Sequence, residues 1–162
     1  MTMNTKQIKS IHIKERTLST SNSHAFVTVN YTDGSEQVFT GKAFGYGYCK
    51  QSSSIAGALN RCPELMRDLT ASFNKRLEIG DFSDPMRDPI CQKVLGYGAG
   101  YGDKPYFEGG VGVRCLIDIL KSLYPLTNRD SYRGKNNSYI ETYMFHSLPS
   151  LIKSTHTQNA AA

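Results

Sequence analysis

The chain has 162 residues, 39% of them hydrophobic and 20% charged, with a net charge of +5 and a pI near 9.0. That length and make-up predict one globular domain able to bury its own core without staples. No apolar run approaches the roughly 18 residues of a membrane span, and no apolar stretch follows the polar, basic segment 1–9. Neither a spanning helix nor a secretory signal is therefore expected, and a cytoplasmic location follows by default.

The first expected element is a strand over residues 8–18, where Ile11 and Ile13 alternate with His12, Lys14 and Arg16. A polar break at 19–23 separates it from a second strand, 24–31, rich in β-forming residues. Asp33-Gly34 then marks a tight hairpin, with a third strand over 36–40. Beyond residue 50 the period changes. Ile55, Leu59, Cys62, Met66, Leu69 and Phe73 recur at three- and four-residue steps, as on one face of a helix. Ser52 or Ser53 suits its N-cap, and Pro63 either kinks it or opens a second helix.

Residues 81–88 read as an acidic turn, and 89–95 as a short helix ending at Gly96. A helix over 113–124 carries Leu116, Ile119, Leu120 and Leu123 on one face and stops at Pro125. Residues 128–137 read as a polar, basic loop, and 139–145 as a last strand. Residues 150–162 offer little to pack and are expected to be a disordered tail. The sum is an α+β domain over residues 1–149: an antiparallel sheet of about four strands, covered on one face by three to four helices.

Ten of the 14 glycines fall in two windows, 41–47 and 96–112. Each window alternates glycine with tyrosine, meets a lysine and leads into an expected helix. A glycine-rich loop entering a helix leaves backbone N–H groups free to face an anion at the positive end of the helix dipole. The candidate ligand-binding residues are Lys42, Tyr46, Tyr48, Lys50, Ser52 and Ser53 around the first loop, and Tyr97, Tyr101 and Lys104 in the second. The lysines and helix N–H groups would hold phosphates, and the tyrosines would stack on bases. Glycines needed only for backbone turns, with tyrosines laid over the core, give the competing structural account. In the second loop, Pro105-Tyr106-Phe107 has the look of a packing plug. The spacing matches neither a P-loop nor a dinucleotide fingerprint.

Arg129, Arg133 and Lys135, grouped around Tyr132, form a basic loop suited to a nucleic-acid backbone. Charge is concentrated at the two ends, +3 over residues 1–60 and +3 over 119–162, with −1 between them. The four cysteines and four histidines show no metal-ligand spacing, so no metal site is expected and the thiols read as reduced. No acid, base and nucleophile can be named together. No cofactor and, on balance, no enzyme activity are expected.

The runs Ala25-Phe26-Val27-Thr28, Phe39-Thr40-Gly41, Gly41 to Lys50 and Ser54 to Leu59 resemble the double-stranded RNA-binding domain over residues 25–59. The resemblance implies a strand hairpin, a glycine-basic loop and a helix whose first lysines sit over phosphates, a role that maps onto Lys50 and Lys42. This sequence keeps one lysine where the family has several, and residues 81–145 have no counterpart in it. The expected function is a non-enzymatic accessory protein that binds RNA or DNA through phosphates. Two alternatives stand beside it: a small inhibitor or adaptor of phage or mobile-element type that docks on a host protein, and a protein that sequesters a nucleotide between the two loops.

Overall fold

A computed structural model of the chain describes residues 6–18, 22–44, 50–78, 107 and 113–147. Strands β1 (Ile8–Thr17), β2 (Ser23–Tyr31) and β3 (Glu36–Ala43) lead into helices α1 (Lys50–Leu59), α2 (Pro63–Glu78) and α3 (Val113–Leu123). Strands β4 (Leu126–Arg133) and β5 (Tyr139–His146) follow, joined by a short 3-10 turn, Lys135–Asn137. The five strands form one antiparallel sheet in the order β3-β2-β1-β5-β4.

Local chemistry explains the first three strands. In β2 every odd residue from Ser23 to Tyr31 is buried and every even one is partly exposed, the period of a strand with one covered face. Gly34 takes φ +90 in the β2–β3 turn, a conformation suited to glycine, while Asp33 accepts hydrogen bonds from the Ser35 amide and hydroxyl. The Tyr31 amide donates to the Ser35 carbonyl at 2.9 Å and closes the hairpin.

The core lies between the odd-numbered face of the sheet and the helices. Ile11 and Ile13 stand between Val29 and Val27 on one side and Phe145 and Tyr143 on the other. Ile55, Leu59, Leu65, Leu69, Leu116 and Leu120 close over them. Each such side chain contributes about 1.5–3 kcal/mol by leaving water. Phe107 is fully buried in the same cluster, and its backbone is held at both ends by the Asn60 side chain, at 2.9 and 3.0 Å. The expected plug is real at that residue.

Two expectations need correcting. Among the described residues the sheet has five strands, because residues 126–133, read as a loop in their larger part, form edge strand β4. α1 begins at Lys50, so Ser52 and Ser53 lie inside its first turn and neither caps it. Of the two expectations for Pro63 the second holds: the helical period breaks at residues 60–62, and Pro63 opens α2 as a separate helix. The expected helix at 89–95, the tail 150–162, and Tyr46, Tyr48, Tyr97, Tyr101 and Lys104 all lie outside the described residues.

Candidate functional site

The sheet has a second face. Even-numbered residues of β1, β2 and β3 point away from the helices, and none of the described helices packs over them. Register places Arg16 beside His24 and His24 beside Lys42, one cationic row across three strands. Lys14 stands next to Phe26 in the neighbouring row, and His12 lies beyond it on β1. Directly opposed side chains of this kind are about 5 Å apart at Cβ. The crowding is visible in the imidazole: partial burial, Lys42 and Arg16 together push the His24 pKa below its usual value. Burial and Lys14 do the same to His12.

At one end of that row is a pocket of about 230 Å³ lined by Arg16, Asn22, Ser23, His24, Lys42 and Phe44. Phe44 is 73% exposed, and the His24 and Phe26 rings lie 4.3 Å apart. The Arg16 Nε is buried and has no hydrogen-bond partner among the described residues. Arg67–Asp68 is the only ion pair among those residues, so Lys14, Arg16 and Lys42 are not neutralised by a carboxylate there.

On the helix side, Glu15 is fully buried in phase with Ile11 and Ile13. Its Oε2 contacts the Thr17 and Ser23 hydroxyls, the latter at 2.7 Å. Ser23 in turn meets Ser54 at 2.6 Å, and Ser54 donates to the Gln51 carbonyl at 2.9 Å. Proton counting favours the neutral acid. An ionised Glu15 takes the only proton of Ser23, which leaves Ser54 to serve both Ser23 and Gln51 with one hydrogen. A carboxyl proton on Oε2 restores the sequence Glu15 to Ser23 to Ser54 to Gln51. Burial, the largest influence, raises the Glu15 pKa; the Glu141 charge adds to this, while the two hydroxyls and Lys50 oppose it.

The candidate residues from the sequence are thus divided by the sheet. Lys42 lies on the open face, whereas Lys50 opens α1 on the helix side and acts on Glu15. Ser52 is buried and Ser53 half-buried in the first turn of α1. Arg129 and Arg133 share the helix-side register of β4, with the Arg129 guanidinium 5.4 Å from the Tyr143 ring centre. Tyr132 takes the opposite register beside Ile140, and Lys135 begins the 3-10 turn. Lys14, Arg16, His24 and Phe26 were not among the expected site residues. Their signal was the phase of the alternation in β1 and β2.

Among the described residues, no three His, Cys, Asp or Glu side chains converge as a metal site, and no helix is long and apolar enough to cross a membrane. The family models, the curated proteins and the solved structures yield no match to this chain.

Proposed function

We propose that the protein binds single-stranded nucleic acid across the open face of its sheet, as a non-enzymatic accessory factor. The observation that carries this reading is the row Arg16–His24–Lys42, three cationic or titratable side chains in register, with no carboxylate partner among the described residues and an exposed phenylalanine at its end. Three features of the surface suit such a ligand. Lys14, Arg16 and Lys42 match the charge of a phosphate backbone. Phe44, together with the His24–Phe26 pair, offers flat apolar surface on which bases stack without sequence preference. An exposed sheet face leaves room for a splayed strand.

The resemblance of residues 25–59 to the double-stranded RNA-binding domain supports the same class of partner, with β2, β3 and α1 following in the order of that family's hairpin and helix. It differs in the form of nucleic acid, which the experiment separates. Fluorescence anisotropy with labelled single-stranded RNA, single-stranded DNA and duplex RNA is the direct test. Single strands are expected to bind in a salt-dependent manner, and the Arg16→Ala/Lys42→Ala variant to bind at least about tenfold more weakly. Its log–log salt slope should fall by about 0.7 for each phosphate that the variant no longer neutralises. Equal binding by parent and variant sinks the proposal. A preference for duplex RNA that survives this double substitution moves the site to the α1 start, as the resemblance implies.

A further inference from the structure

A second cavity, of about 400 Å³, lies on the opposite side of the sheet and is lined by residues of α1, α3, β4 and β5. We infer that this cleft is a binding site for a nucleoside phosphate. The inference is independent of the open face.

Both helices that follow the glycine-tyrosine segments start at this cavity. Gln51, the second residue of α1, and Val113 and Arg114, the first two of α3, share its lining. Arg114 and Lys121 come from α3, Arg129 from β4, and none of the three forms an ion pair among the described residues. Asp118 shares the wall but is not within ion-pair distance of them. Three cations without carboxylate partners there are suited to a phosphate.

The floor carries different chemistry. The Tyr143 hydroxyl donates to Glu141 Oε2 at 2.9 Å, so the Glu141 carboxylate is oriented within the lining. A carboxylate held in this way accepts hydrogen bonds from sugar hydroxyls or from a base amino group. Val113, Ile117 and Leu126 add an apolar wall against which a base ring fits. Cationic rim, oxygen-bearing floor and apolar wall together select a phosphorylated nucleoside over phosphate or nucleoside alone. The volume falls within the range of small-molecule sites, roughly 300–1,000 Å³.

Calorimetric titration of the full chain with the common nucleoside 5′-monophosphates, the matching nucleosides and inorganic phosphate tests the inference. At least one nucleotide is expected to bind more tightly than either of its parts. Arg114→Ala/Arg129→Ala should weaken it by about tenfold or more. Glu141→Gln should weaken nucleotide binding and leave any phosphate binding unchanged. The open-face variant Arg16→Ala/Lys42→Ala should bind as the parent does. Thermal melts check that each variant folds, and Lys121→Ala, at an exposed position, serves if the double variant does not. The inference fails if no nucleotide binds, if phosphate binds as well as nucleotides, or if the cleft variants bind like the parent.

Discussion

At the scale of single residues, Glu15 shows how a sequence pattern can hide a chemical problem. It occupies a phase reserved for isoleucine, and the fold answers with the Thr17 and Ser23 hydroxyls and with the charge of Lys50. Because burial raises its pKa, the folded state holds a proton that the unfolded chain releases earlier. The contribution of Glu15 to stability is therefore complete below the ordinary glutamate pKa and is lost as pH rises through its elevated value. Glu141 and Lys50, the charged groups facing it, set how far that window extends. Thermal melting between about pH 4 and 8 should show the parent losing stability across this window. A Glu15→Gln variant should give a flatter curve, and parallel curves would refute the neutral acid.

At the scale of elements, α1 is seated on the sheet through a backbone contact. A Cβ placed on Gly41 would stand 2.0 Å from the Ser54 carbonyl oxygen and 2.8 Å from the Ala58 nitrogen. These are atoms of the helix backbone and cannot turn aside. The glycine that opens the first glycine-rich window therefore lies in β3 and serves close packing. Gly41→Ala should force α1 off β3 at about 1–3 kcal/mol, a fall of several degrees in Tm measured by calorimetry. An unchanged Tm would mean that α1 sits elsewhere. β4 teaches the converse lesson. Only Leu126 among its residues is even half-buried, so the strand lacks the alternation by which strands are recognised. Its charged side chains suit an edge that must not pair with another chain. Neighbouring β5 supplies the hydrogen bonds that define it, and such a partner is invisible in local sequence.

For the whole molecule, the sheet acts as a partition between two cationic surfaces. Arg16, His24 and Lys42 occupy one side; Arg114, Lys121 and Arg129 occupy the other. With a net charge of +5, both gain from the overall field, which salt weakens within a Debye length of about 8 Å at physiological ionic strength. Substitutions on the two faces share no partner, so their effects on oligonucleotide affinity should add. Saturating mononucleotide should not displace a bound oligonucleotide. Competition anisotropy on the parent and on Arg114→Ala/Arg129→Ala measures both, and displacement by mononucleotide would show that the two ligands use one surface.

The sequence alone determined the β2–β3 hairpin, the α3 stop at Pro125, the helix-to-strand contrast on either side of residue 50, and the α+β class. Each depends on neighbours in the chain: a turn that needs glycine at Gly34, a ring that ends a helix, a period of two or of 3.6. Tertiary structure alone decided that Lys42 and Lys50, close together in the chain, lie on opposite sides of the sheet. It also decided that Arg16 meets Lys42 through His24, and that α1 and α3 begin at one cavity. Those placements follow from strand order and register, which are fixed by packing between residues as distant in the chain as Ile11 and Phe145 and leave no local pattern to read.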